Sequence, residues 1–477
     1  MATTTPESSS PRPPGQAGQF SLDIDERGIR DAFRAWVGRL RTGDPGALPS
    51  VLGLVLLAII FSQLSGRFLT KSNLGNIPGQ GAYIAIIGLG LVFVLLLGEI
   101  DLSAGTAGGT CAAVAAVAVS QGKLHGGGAL PNAMYWTLVV GLLVAIGLAV
   151  WLRAYTAAVV IAVGFVLVVT NLTQHLFLAL VAAICIGAAI GVLNGYLVAK
   201  VGIPSFVVTL ALFLAWEGVT QFALNGQPVT VSNYNLWYKL TYGNLSVLWT
   251  WIFMVVLVGG YLAYTLLMSV RARRASLAHD KMELVLLRGG ALAVVAIIIT
   301  VLATQNRGFS SLVPKRGLPV PAAIALVLMV LCTLLLTKTT WGRHLYATGG
   351  NAEAARRAGI DVVHMKVTAF CLCTSFGALG GIMLSSYQSS ASLDLGSGNV
   401  LLFSVAAAVI GGTSLFGGRG RPRDAIIGAI VIAMIPNGLQ LNQKLGADPQ
   451  WQSVITGVVL LLAAGVDAVS RRRGARS

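Results

Sequence analysis

GAYIAIIGLGLVFVLLLG (residues 81–98) carries no charge, and the acidic break Glu99-Ile100-Asp101-Leu102-Ser103 after it opens straight onto another apolar run. A hydrocarbon slab of about 30 Å asks for roughly 17–25 such residues in a helix. The alternation repeats from Ala47 to Val469. It predicts spans over residues 49–66, 81–98, 103–120, 135–152, 156–172, 175–199, 205–222, 248–269, 289–305, 318–337, 366–387, 400–412, 424–441 and 452–469. With 55% hydrophobic residues, 10% charged residues and mean hydropathy +0.79, one soluble core could not hide this much apolar surface. The expected fold is all-α, a polytopic transmembrane helical bundle of about 12–14 spans with broken or short helices. Residues 400–412 are too short to cross unaided and read as a half-helix or re-entrant piece.

The +16 net charge is not a nucleic-acid signature, because no basic stretch carries interleaved stacking aromatics. It is distributed by topology instead. Of 33 Lys and Arg, about 25 fall in segments 1–48, 99–102, 153–155, 200–204, 270–288, 338–366, 413–423 and 470–477. The positive-inside rule then puts those segments, and both termini, in the cytoplasm, with Arg271, Arg273, Arg274 and Arg471–Arg473 facing anionic lipid headgroups. Residues 1–25, rich in Thr, Ser, Pro and Gln, read as a disordered cytoplasmic tail. In 26–42, Ile29, Phe33, Trp36, Val37 and Leu40 recur at helical spacing opposite Arg27, Arg30, Arg34 and Arg41. That is an amphipathic helix, lying in the lipid interface or packed on the protein. Residues 48–470 form the transmembrane domain and 471–477 a basic cytoplasmic tail.

Chemistry-bearing motifs are few. There is no G-x-x-x-x-G-K-[ST] phosphate loop, no H-x-x-x-H or Cys/His metal spacing, and no nucleophile elbow. Neither an enzyme nor a cofactor or metal site is expected. The five cysteines fall inside apolar spans as small packing residues. Three polar features remain. Glu99 and Asp101 interrupt two apolar runs; either they meet substrate hydroxyls or a gate, or Asp101 or Ser103 caps the next helix. Glu217 lies inside a span with Trp216 and Gln221, a set suited to a polyol, or is simply solvated at the membrane edge. Asn351 can cap a short helix over Ala352–Ala358 that Gly359 terminates, held either by a docked partner or by the chain's own loops.

Glu353-Ala354-Ala355-x-x-x-Gly359 resembles the coupling loop of ABC-importer permeases. Gly342-Arg343-x-x-Tyr346-Ala347-x-Gly349-Gly350-Asn351 through Gly359-Ile360 is more specifically similar to the ribose/xylose-type sugar permeases. The likeness extends over Ile100-Asp101-Leu102-Ser103, Asn194-Gly195, Pro204-Ser205-Phe206, Asn225-Gly226, Ile410-Gly411-Gly412-Thr413-Ser414-Leu415 and Asn437-Gly438. The basic loop Arg271–Arg288, with a further span before Trp341, looks closest to the xylose branch. Three departures stand out. The downstream I-x-L-P of classical coupling loops is absent, Leu401-Leu402-Phe403 stand where the family tends to carry acids, and 135–174 looks like two inserted spans.

What the resemblance implies is a permease subunit of an ATP-driven importer in the bacterial cytoplasmic membrane, working as a homodimer. It would carry a monosaccharide, D-xylose or a related aldose. Its partners would be an ABC ATPase subunit and an extracytoplasmic sugar-binding protein. Asn351, Glu353, Arg356, Arg357 and Gly359 would couple to the ATPase. Asp101, Asn194, Glu217, Gly411, Gly412 and Thr413 would line the sugar path or gate. The alternative is an ion-coupled secondary sugar transporter, for which neither a G-x-x-x-D-R-x-G-R-R-like loop nor a buried proton relay is visible.

Overall fold

The computed structural model describes residues 48–125, 129–275, 281–308 and 314–442, together with residues 34, 38, 450, 451, 454, 455, 457, 458 and 461. The proposed tail 1–25, most of the amphipathic helix 26–42, most of the last span 452–469 and the basic tail 471–477 lie outside them. The chain divides into two compact units. The smaller contains residues 254–297, most of two apolar helices, α9 (Val247–Arg274) and α10 (Met282–Thr304). Within it Gly289 packs onto the Leu262 side chain. Arg271, Arg273 and Arg274 sit in the last turn of α9, where the helix dipole favours cations.

The larger unit, residues 39–253 and 298–477, holds every candidate site residue. It begins with α1 (Leu48–Leu64), α2 (Lys71–Leu96) and α3 (Ala104–Gln121). The hairpin α4 (Asn132–Trp151) and α5 (Tyr155–Val169) leads to α6 (Leu176–Tyr196), which continues as a π-turn over Leu197–Val201. Then come α7 (Ser205–Ala223), β1 (Val229–Thr230) and α8 (Asn235–Tyr242). After α9 and α10 follow α11 (Val320–Lys338), α12 (Thr340–Gly350), α13 (Ala352–Arg357) and α14 (Val362–Gln388). β2 (Ser390–Ala391), α15 (Asn399–Gly411) and α16 (Pro422–Gln440) complete the described chain. The two short strands pair antiparallel.

Nine helices among the described residues are long and apolar enough to cross a membrane. The protein is a polytopic helical membrane protein. α14 is its axis, packed on α2, α3 and α6. The packing is backbone to backbone. Gly187, Gly191 and Gly195, one every four residues on α6, abut Thr374, Cys371 and Val367 of α14. Gly377 and Gly381 of α14 meet Ala104 and Gly108 of α3 in the same way. Small residues at this spacing let helices approach where lipid supplies no hydrophobic drive. All of α3 from Ala104 to Ala118 is buried, which explains why a span this poor in large side chains persists. The described cysteines, Cys111, Cys185, Cys332, Cys371 and Cys373, are free and buried.

Most predicted spans match an observed helix within a few residues, and α2 departs furthest. It starts at Lys71 rather than 81, with Thr70 accepting the Asn73 amide at 3.4 Å and Pro78 carried inside. Its polar first turns read as a loop because their partner is remote: Asn73 and Asn437 exchange side-chain hydrogen bonds of 2.8 and 2.9 Å. The expected short helix at 400–412 is α15, 13 residues or about 20 Å long. The α4–α5 hairpin packs along α6, Gly164 lying against Cys185.

Candidate functional site

α13 has the caps that its sequence suggested. The Asn351 Oδ1 accepts the Ala354 amide at 2.9 Å. At the other end the Ile360 amide donates to Ala355 O and the Gly359 amide to Arg356 O, both at 3.0 Å, with Gly359 at φ +84°. This is a Schellman closure, which needs the left-handed conformation glycine adopts without strain. Asp361 then caps α14 through the His364 amide at 3.0 Å. Ala355 is buried, whereas Glu353 pairs with Arg356 at 3.1 Å and Arg357 at 3.3 Å on an exposed face. Exposed pairs of this kind add little stability. The charges of α13 are therefore available to a partner at small cost to the fold.

Behind α13 three backbone segments meet. A Cβ on Gly349 would overlap Leu96 O, the acceptor of the Gly418 amide at 2.8 Å. A Cβ on Gly417 would lie 2.9 Å from both Gly349 O and Gly98 N. The Tyr346 hydroxyl donates to Gly420 O at 2.7 Å, pinning α12 to the loop that follows α15. Gly411, Gly412 and Thr413 begin that loop. Gly411 lies against the Asp424 carbonyl, Gly412 has φ +120°, and the buried Thr413 donates its amide to Ala408 O at 3.0 Å. Asp424 accepts the Arg421 amide at 2.7 Å at the start of α16. The coupling and loop candidates thus share one end of the bundle, through Gly349.

Asp101 and Asn194 also come together. Asp101 is fully buried in the break between α2 and α3, and its Oδ1 accepts the Ser103 amide at 2.9 Å and the Ser103 hydroxyl at 2.7 Å. Asn194 Nδ2 donates to Ser103 Oγ at 2.9 Å and reaches Asp101 Oδ2 at 3.5 Å. Asn194 Oδ1 is buried without a partner among the described residues. Ser103 occupies the cap position of α3 but its side chain accepts no capping bond; Asp101 satisfies its amide instead. The break is tied to its neighbours by the Glu99–Lys366 ion pair and by Ser205, whose hydroxyl accepts the Ile100 amide at 3.3 Å.

Burial pushes the Asp101 carboxyl above its ordinary 3.8, against the pull of the Ser103 and Asn194 donors. A pKa raised on folding means the native chain binds the extra proton, so this group favours folding below the unfolded pKa and loses that contribution as pH rises through its native value. Asp101→Asn retains an acceptor for Ser103 but cannot ionise. The melting temperature of the parent protein should therefore decline relative to this variant as pH rises above the ordinary carboxyl value of 3.8. A difference that stays flat would contradict the assignment.

Glu217 does not join this cluster. It is half-buried on α7, twelve residues or about 18 Å along the helix from Ser205, which touches the Asp101 break. Its two companions differ in exposure. Trp216 is half-buried and packs against the core, its carbonyl accepting the Thr110 hydroxyl at 3.0 Å, while Gln221 is exposed. No cluster of His, Cys, Asp or Glu among the described residues could hold a metal. Tyr346 and Gly349 entered from sequence only as part of the motif shared with the sugar permeases, and Gly417, Gly418 and Lys366 were given no site role from sequence. Glycine pairs 349–350 and 417–418 were the available signal, but not their mutual contact.

The branched-chain amino acid transport system / permease component family matches residues 154–464. The chain belongs to this family. This permease is 29% identical over 424 residues to the xylose transport system permease protein of Haemophilus influenzae, covering 88% of this chain and 96% of that protein. Its identity to the Escherichia coli K12 xylose transport system permease protein is 28% over 426 residues, 89% and 92% of the two chains. The ribose import permease protein of the same bacterium is 28% identical over 421 residues, covering 88% and 92%. No solved structure matches the chain. The relatives are named as permeases rather than enzymes, and the family match begins at residue 154, within the hairpin that precedes α6.

Proposed function

We propose that this permease imports a monosaccharide across the bacterial cytoplasmic membrane as the conducting subunit of an ABC transporter, a pentose such as D-xylose being the favoured cargo. The observation that carries this reading is similarity along nearly nine-tenths of the chain to permeases named for xylose and ribose. Two copies would form the pathway, a sugar-binding protein would load it from outside, and ATPase subunits would bind the cytoplasmic end, where α13 displays Glu353, Arg356 and Arg357. Closure of the ATPases would press on α13. Asn351, Gly359 and the Gly349 junction would pass the movement to Gly411, Gly412 and Thr413 and to the Asp101–Asn194 break. Glu217, about two-thirds of the way along α7, would face the path separately from that break. The charge bias supports cytoplasmic termini.

Charge reversal at the exposed pairs separates docking from folding. The double variant Glu353→Arg/Arg356→Glu should melt within about 1 °C of the parent, since exposed ion pairs contribute under about 1 kcal/mol. Its co-purification with the ATPase should be lost, and uptake of labelled xylose and ribose should fall more than about tenfold. Unchanged assembly and uptake would refute the docking role. Uptake by the parent system should collapse on ATP depletion and survive an uncoupler; the reverse pattern would favour an ion-coupled carrier.

A further inference from the structure

At the opposite end of α2 from the glycine junction, a half-open groove of about 190 Å³ runs between the first turns of α2 and the segment joining α10 to α11. Its walls are the aliphatic Leu74, Pro78, Ile299 and Leu302, and its polar lining is Lys71 and Arg307. Arg307 is more than nine-tenths buried, with 8% exposure. Its guanidinium donates only to neutral acceptors, Asn244 Oδ1 at 3.2 Å, Gly75 O at 3.4 Å and Gly317 O, and its buried Nε has no partner. It makes no ion pair among the described residues, and no carboxylate occurs in the sequence between Asp44 and Glu99, Glu217 and Asp280, or Glu283 and Glu353. The segments around it therefore offer this buried cation no anion. Leaving a charge buried and unpaired is costly.

The position is a built one. Arg307 lies across Gly75, whose missing Cβ makes the room. The Arg307 amide donates to Lys315 O at 3.0 Å, the Gly317 amide to Ala303 O at 2.8 Å, and the Leu318 amide to Thr250 Oγ1 at 2.9 Å. Burial and the Arg307 charge both hold the Lys315 ammonium below its ordinary value, as expected where cations gather without a counter-ion. Only eight Lys and Arg lie outside the segments that the charge bias assigns to one side of the membrane. Five of them, Arg67, Lys71, Arg307, Lys315 and Arg316, belong to the two segments flanking this groove. α2 has 26 residues and is about 39 Å long, so its two ends reach the headgroup layers on opposite sides of the hydrocarbon.

We propose that this groove binds an anionic phospholipid, its phosphate held by Arg307 with Lys71 and Lys315 and an acyl chain lying along Leu74, Pro78, Ile299 and Leu302. The aliphatic walls favour a lipid over a soluble anion, which would use only the cations. They also favour it over an acidic protein, which would leave a groove this narrow unfilled. The site is independent of the transported solute.

The test is native mass spectrometry of the purified full-length protein titrated with phosphatidylglycerol, with phosphatidylcholine of the same acyl chains, and with phosphatidylglycerol in excess inorganic phosphate. The first phosphatidylglycerol should bind at least about tenfold tighter than phosphatidylcholine and resist inorganic phosphate. Arg307→Gln should abolish that preference. Lys71→Gln/Lys315→Gln, which leaves the buried guanidinium and the fold in place, should weaken binding more than about tenfold, at about fivefold per cation. Equal binding of the two lipids, an unaltered preference in the double variant, or full displacement by inorganic phosphate would each overturn the proposal. So would retention of an acidic protein, but no lipid, through these lysines.

Discussion

Gly349→Ala should reduce solute uptake by more than about tenfold, while Gly350→Ala should leave it within about twofold of the parent. The two residues are adjacent on α12, and one methyl group is added in each case. At Gly350 a Cβ meets nothing within 4 Å. At Gly349 it overlaps Leu96 O, which already accepts the Gly418 amide, and lies 3.1 Å from that amide nitrogen. Both obstacles are main chain, so no rotamer change relieves them. α12 must back away from α2, or the loop after α15 must lose its hydrogen bond. Overpacking costs about 1–3 kcal/mol, small beside complete unfolding but enough to part three segments that meet here. Labelled-sugar uptake, normalised to protein in the membrane, checks the pair. Equal transport by the two variants would show that the junction transmits nothing.

The largest stability effect is expected at Gly191. Gly191→Val should destabilise the protein by about 3 kcal/mol or more, whereas Gly141→Val on α4 should change stability by less than about 0.5 kcal/mol. A Cβ at Gly191 stands 2.5 Å from Cys371 Cα and closer still to Phe370 O and the Thr374 hydroxyl. That hydroxyl donates to Gly187 O at 2.6 Å, one turn away on the same interface. The bulk therefore severs a hydrogen bond as well as separating α6 from α14. At Gly141 a Cβ finds nothing within 4 Å. Thermal unfolding in detergent, followed by the loss of the monodisperse size-exclusion peak, measures both variants. A Gly191→Val protein melting with its parent would mean that the α6–α14 contact is looser than described.

Much of the candidate site is local and so was legible. Asn351, Ala352–Arg357 and Gly359 specify their short helix through caps made within a few residues, and the helix is present with both. The α2 boundary was not legible because Asn73 is satisfied by Asn437, far along the chain. The packing of Trp216 was not legible for a related reason. Residues at unlike spacings on a helix point different ways, and packing on α3 set Trp216 half-buried against the core while Gln221 stayed outside. Asp101 carried two readings; the structure places its carboxyl on the amide and hydroxyl of Ser103 and beside Asn194, a buried polar cluster, while no side chain caps α3.

Hydrophobic run length, charge bias and glycine content determined that this chain is a membrane-spanning helical bundle, because the bilayer acts on each segment by itself and demands the same length and apolarity of all of them. Which glycine faces which carbonyl, that Gly349 joins α12 to Leu96 and Gly418, and that Arg307 is buried without an anion among the described residues were decided only by tertiary structure. Those are contacts between segments tens to hundreds of residues apart. A glycine or an arginine has the same local preferences whether its neighbour in space is lipid, water or another backbone, so only the packed bundle distinguishes them.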